Sequence, residues 1–459
     1  MFSLPGAMSA VVIALTVSVV AALVRIYSDP LKHIPGPTIA RFTPLWLWYI
    51  SWKGVECTEI DALHKKYGPV VRVAPNEVDI SDGRAGRLIY VKNGGYLKSP
   101  VYRNVDINGF MTIFTTADPA YRAPRAKAVA PLFANQQVIQ TREQAQQITA
   151  RMIAELERRK AESAGHPVDV LNLFRAMSLD TMSFCLLGEP LNSIDRERFP
   201  ATDFVDAVAS AGRFFILPGW LFPTVEYLAR IVHKNRHAIA ASTQHAQDFV
   251  TRVVDRSISE EKYVARTYQG RLLSIGISRE ETIVQVLDIL FAGTDGGGTV
   301  LSLLARLLAD HPQKYERLRE EVMNNSTLDA QALPYLSSVV KESGMRVDGL
   351  PFIPAGTSVG ISAYSLHLNS EVFPDPRAFS PERWLKPSEA MLRDSAYFGQ
   401  GSRQCIGRNF AWATLCWGAE GLVRSDVLRG ARSVKPDVGN HQWFNSVSPD
   451  GKHELIWED

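Results

Sequence analysis

Residues 280–312 read "EETIVQVLDILFAGTDGGGTVLSLLARLLADHP", a largely apolar run with helical texture over about 280–310 and Pro312 just past its end. Its middle, "LFAGTDGGGT" (290–299), places three consecutive glycines behind an aspartate. Each interior glycine costs a helix roughly 1 kcal/mol against alanine, so the triplet costs about 3 kcal/mol. Glycines there could cradle a phosphate, end the helix, or let something lie close to the backbone. Gly293 and Gly298 have the spacing of a phosphate loop, but Thr299 and Val300 follow where a lysine and a hydroxyl residue are needed. A plain helix break is also poorly supported, because apolar helical texture resumes through Leu308. Close approach is the reading that survives.

The surrounding chain is helix-rich. Residues 136–162 and 224–258 have the spacing of long amphipathic helices, as do "HPQKYERLREEVMN" and "LPYLSSVVKESGMRV". "PVVRVAPNEVDI" (69–80) alternates like two strands around a Pro-Asn turn, and "IPAGTSVGISAYS" has strand-like residues between glycine turns. The predicted fold class is mainly α with a small β-sheet region, in one continuous body. A net charge of +2 supplies no basic field, which sets nucleic acid aside as a partner. Cys57, Cys185, Cys405 and Cys416 stand far apart with no CxxC pair or zinc spacing, which argues against a disulfide framework and for a reducing compartment.

The N-terminus adds a second constraint. No charged residue occurs from Met1 to Val24, and residues 7–24 are almost wholly apolar. Extended slightly to Tyr27, the segment reaches the ~20 residues of a bilayer span. A cleaved signal peptide would want a basic residue ahead of its apolar core, and none precedes Arg25. Arg25, Lys32, His33 and Arg41 follow it, so the positive-inside rule leaves the remainder cytosolic. Residues 1–28 are therefore expected to be a single-span N-terminal transmembrane anchor, joined by the stiff elbow "HIPGP" to a body over 29–459.

"FGQGSRQCIG" (398–407) is the densest short stretch of the chain. A lone cysteine, Cys405, sits among Gly399, Gly401 and Gly407, with Arg403 two residues ahead and Phe398 in front. Glycines let a backbone approach a flat group, nearby amides can hold a sulfur as thiolate, and an arginine can meet a carboxylate. The pattern Phe398-x-x-Gly401-x-Arg403-x-Cys405-x-Gly407 resembles the haem-binding signature of cytochromes P450 at every position. "FSPERWL" (379–385) is similar to the element before the haem loop, and "DPAYRAPRAKAVAPLF" (118–133) to the family's C helix. The overall style is most similar to filamentous-fungal members of secondary metabolism.

The resemblance implies the cytochrome P450 fold, with 29–459 as a haem-thiolate catalytic domain holding haem b (iron protoporphyrin IX). Cys405 would be the axial iron ligand, and Arg125 and Arg403 would meet the propionates, with Tyr121 on the Arg125 face. Phe398, Gly401 and Gly407 would shape the loop, and Ala292 and Gly293 would stand over the ring. Asp295, with Thr299, would serve proton delivery. Expected partners are NADPH-cytochrome P450 reductase and a lipophilic small-molecule substrate. Substrate contacts are expected in 102–114, 214–220, the long helix and 352–353. The expected location is the endoplasmic reticulum membrane, with the catalytic domain in the cytosol.

Two departures from the family stand out. Gly296 occupies the position of a threonine that normally steadies bound oxygen and its proton-donating water, which leaves water, Thr299 or a substrate hydroxyl to replace it. Glu342 and Arg346 are four apart where the family has three, and with Arg383 they are expected to form a structural triad. Only six residues, 347–352, separate Arg346 from "IPAGT", where the family has a longer segment. The alternatives are therefore an isomerase or dehydratase of the same fold, or a truncated non-catalytic haem protein.

Overall fold

A computed structural model of the chain describes residues 27–195, 211–233, 235–325, 329–342, 357–435, 441–443 and 446–457, with the single positions 13, 16, 203, 205 and 208. The helices that place the site are α1 (Leu45–Lys53), α2 (Glu56–Tyr67), α3 (Pro119–Val129), α4 (Arg142–Glu162), α5 (Leu171–Met182), α6 (Phe222–Val232), α7 (Arg236–Ser259), α8 (Tyr268–Ser274), α9 (Arg279–Asp310), α10 (Pro312–Asn324), α11 (Pro334–Lys341) and α12 (Arg408–Arg424).

Helix α9 is the long apolar run, continuous through its glycines. The Ser278 hydroxyl caps it by accepting from Glu281 N, and Glu280 and Glu281 complement the positive end of its dipole. It ends at His311, where Pro312 opens α10 as its first residue. Ile283, Val286, Leu290, Leu301, Leu304 and Leu308 of α9 share one core with Leu173 and Phe174 of α5, Val250 and Val253 of α7, and Trp417 and Leu422 of α12. Among the described residues α9 alone is long and apolar enough to cross a bilayer, and it is the centre of this core. The expected anchor over 1–28 lies almost wholly outside the described residues.

Each of two expected long helices divides. The first breaks at Thr141, whose hydroxyl donates to Val138 O at 2.8 Å. The second breaks at 233–235, where the His233 Nδ1 accepts from Asn235 N at 3.2 Å and so takes a backbone donor from the helix ladder. The sheets are small. β1 (Val70–Ala74) pairs antiparallel with β2 (Glu77–Ile80) around the expected turn, and β2 pairs parallel with β4 (Ser358–Ile361). β3 (Val168–Asp169) and β5 (Ala431–Ser433) flank β8 (Glu454–Trp457), and β6 (His441–Gln442) pairs with β7 (Ser446–Val447).

Candidate active site

The loop 398–405 closes on itself through Cys405 N donating to Phe398 O at 2.8 Å. Gly399 and Gly401 take the left-handed backbone, with φ of +68° and +67°. A methyl group on Gly401 would also collide with Tyr90 O, so the position is closed to side chains twice over. Cys405 is left exposed at the end of this turn, just ahead of α12. Its surroundings are still close enough that desolvation holds the thiol above its usual range, opposed by the Gly407 backbone and by Arg408. A side chain at Gly407 would stand between Phe133 and the Cys405 sulfur.

Arg403 ties this loop to the chain just before α3, donating through Nη1 to Thr116 O at 2.8 Å and through Nη2 to Ala117 O at 3.0 Å. The loop 111–116 in turn holds α9: Gln285 Nε2 donates to Met111 O at 3.0 Å, and Ile113 N donates to Gln285 Oε1 at 3.0 Å. The cysteine loop and the glycine-bearing helix are thus joined by one chain of hydrogen bonds.

Tyr121 and Arg125 share a face of α3, with the Arg125 guanidinium 3.6 Å over the Tyr121 ring. Both reach Glu281, in the first turn of α9: Arg125 Nε to Oε1 at 2.6 Å and Tyr121 Oη to the same oxygen at 2.5 Å. Arg125 therefore already has a carboxylate. Three other cations lie close to one another: burial and Arg403 push Lys98 down to about 7, while burial and Arg122 lower Arg403. Cations that repel across a half-buried space call for anions between them.

On α9 the small residues divide by side. A methyl group on Gly293 would meet Met182 Sδ at 2.1 Å, one on Gly297 would meet Ser178 Oγ at 2.3 Å, and one on Gly298 would meet Arg175 Cα at 2.5 Å. These three glycines let α5 lie against α9. Ala292 and Gly296, one turn apart, are exposed, and a methyl group on Gly296 would meet no atom of the described residues within 4 Å. Of the pair expected over the cofactor, Ala292 is on the exposed stripe, whereas Gly293 is turned to α5. Asp295 is buried and pairs with Arg175 Nη2 at 2.7 Å; Thr299 Oγ1 donates to the same Oδ1 at 3.3 Å.

Glu342 and Arg383 come together as expected, Nε to Oε1 at 3.1 Å. Ser380 N and Trp384 Nε1 also donate to Glu342, at 2.8 and 2.7 Å, while burial pushes its carboxyl up to about 7. Arg346, Phe352 and Ile353 lie outside the described residues. The sequence reading missed Arg175, Glu281 and Lys98. A lone arginine in the apolar helix "LNLFRAMSLDTM" was a readable sign of a buried partner, although nothing local said it was Asp295.

An exposed cysteine on a glycine-closed turn, small residues on a facing helix and a knot of cations fit a flat ring that carries iron and two carboxylates. The cytochrome P450 family profile matches residues 34–348 and 342–416. The chain belongs to the cytochrome P450 family. Cytochrome P450 monooxygenase mfmF of Annulohypoxylon moriforme is 33% identical over 97% of this chain and 98% of its own length. Cytochrome P450 monooxygenase BOT1 of Botryotinia fuckeliana is 27% identical, covering 84% of this chain and 83% of its own. N-acetyltryptophan 6-hydroxylase ivoC of Emericella nidulans is 26% identical, with 99% and 97% covered. The chain is accordingly an oxidoreductase of the P450 type, from a family built around haem iron. The two matched pieces of the profile overlap at 342–348, at the start of the short 347–352 connection.

Proposed function

We propose that this P450 inserts one oxygen atom from O2 into a lipophilic small molecule of fungal secondary metabolism. Electrons would come from NADPH through NADPH-cytochrome P450 reductase. The exposed Cys405 at the end of its glycine-closed turn is the observation that carries this reading. Bound haem b supplies the oxygen-activating redox chemistry. Cys405 would hold its iron, Arg403 with Arg122 and Lys98 would meet its carboxylates, and Ala292 and Gly296 would leave room for it against α9. Asp295 is the acid for proton delivery, oriented by Arg175 and within hydrogen-bond reach of Thr299. With no hydroxyl at Gly296, a water or a substrate hydroxyl completes that delivery.

The fungal relatives support the setting, and the apolar segment 1–28 supports a retained anchor in the endoplasmic reticulum membrane with the body in the cytosol. Deleting 1–28 should move the protein from the membrane fraction to the soluble one. A second reading, an isomerase or dehydratase that needs no reductase, has Gly296 in its favour.

The deciding experiment is turnover with reductase and NADPH under isotopically labelled dioxygen. One labelled oxygen in the product is expected. Product formed without NADPH or O2 would replace the proposal with the second reading.

A further inference from the structure

A cavity of about 1960 Å³ opens beside α9, walled by apolar residues that include Phe114, Phe214, Ile216, Leu217, Leu287 and Phe291. Its other charged groups are largely matched with each other or with rings: Arg103 lies 3.6 Å from Asp106, Arg230 lies 3.8 Å from Glu226, and Arg213 stacks on Trp443. Glu77, on β2, and Asp288 are not, and Asp288 is the one of the two on α9. It lines the cavity from α9 four residues before Ala292 and eight before Gly296, on their face of the helix. No lysine, arginine or histidine among the described residues reaches ion-pair distance of it.

Two neighbours define its chemistry. Thr112 lies beside the Asp288 carboxyl and favours its charged form, while the Thr112 oxygen accepts from Phe114 N at 3.2 Å and Thr115 N at 3.1 Å. Lys98 feels Asp288 electrostatically, but its ammonium donates to Phe114 O and sits over the Tyr102 and Phe114 rings at 3.6 and 3.8 Å. A carboxyl group with no ion-pair partner among the described residues, in a largely apolar wall, has acceptor capacity left over. A ligand that brings no donor would strip water from it without return.

We infer that Asp288 is a specificity-determining residue. It takes the O–H or N–H donor of a lipophilic substrate whose oxidised carbon lies about one helical turn further along α9, roughly 6 Å away. The inference rests on the monooxygenase reading for the place of oxidation, and it adds the substrate class: apolar frames carrying a hydrogen-bond donor, with carboxylates rejected.

The test is ligand binding to the haem-loaded protein, read as the change in haem spin state. The probes are matched trios on naphthalene, biphenyl and indane frames: a hydroxyethyl compound, its methyl ether and the corresponding acetate. The native protein should bind the alcohol about tenfold or more tighter than the ether, with the carboxylate weakest. D288L should erase the alcohol–ether difference. D288N, still an acceptor, should keep it while ceasing to reject the carboxylate. A residue that only pinned the 111–116 loop would lower all three affinities together. An equal response, or none, to alcohol and ether on every frame overturns the inference, as does a ranking that survives in D288L. The reduced-CO spectrum of each sample separates the two levels. Without a thiolate-type band the P450 reading itself fails; with the band and no ranking, only the role of Asp288 does.

Discussion

One side of α9 carries Gly293, Gly297 and Gly298, pressed on α5; the other carries Ala292 and Gly296, exposed and with open space over the glycine. The residue type is the same on both sides, and the physical reasons differ. On the packed side a Cβ is excluded by protein, down to the backbone of Arg175. On the open side no atom of the described residues excludes it, so packing among them does not require the small residue. A run of glycines read as one motif is therefore two, and each can be broken separately.

The largest effect should come from R175L, on the packed side. It leaves the Asp295 carboxylate buried beside α5 without its cation, a loss of roughly 3–5 kcal/mol in unfolding experiments. G298A should follow closely, at about 3 kcal/mol, because its methyl group would press on Arg175 Cα and N, which a rotamer change cannot relieve.

The packed side continues to Ser302, whose hydroxyl lies 2.9 Å from Thr299 O and shares a 2.7 Å hydrogen bond with His453 Nδ1. Burial, with Arg306 and Arg175 nearby, holds His453 down to about 4 from 6.5. The unfolded chain takes up this proton near pH 6.5, and the folded one only near 4. Stability should therefore fall as pH falls across that window, by about 1.4 kcal/mol per unit at most, and H453Q should flatten the slope in pH-dependent melts.

G293A should cost only about 1 kcal/mol, since the obstacle is the end of the flexible Met182 side chain. G296A reverses the sign: with nothing to strike, it should stabilise the helix by up to about 1 kcal/mol. G296T, which restores a hydroxyl, should raise the ratio of product to NADPH consumed; an unchanged ratio would show that the hydroxyl is not what limits oxygen activation. Equal destabilisation by G298A and G296A would end the distinction between the two sides.

The long helix, the β1–β2 hairpin and the cysteine turn were legible because their signals are local: apolar texture, alternation around Pro75-Asn76, and glycines at fixed offsets from Cys405. The Glu342–Arg383 pair was legible through the resemblance of "FSPERWL" to the family's element, although the Glu342–Arg346 spacing departs from it. What periodicity could not carry was pairing over long separations. Asp295 stands out as an acid, but its partner Arg175 lies 120 residues earlier, and the Glu281 that meets Arg125 lies 156 residues further on. The divided helices have a different reason: a threonine hydroxyl at 141 or a histidine ring nitrogen at 233 bonding to the local backbone leaves the hydrophobic pattern intact.

If Cys405 presents its sulfur to haem iron, the reduced-CO difference spectrum of the purified native protein beside C405S will show it. A thiolate-type band is expected in the native protein and not in C405S. A native protein that binds haem without that band, or a band that persists in C405S, would contradict it.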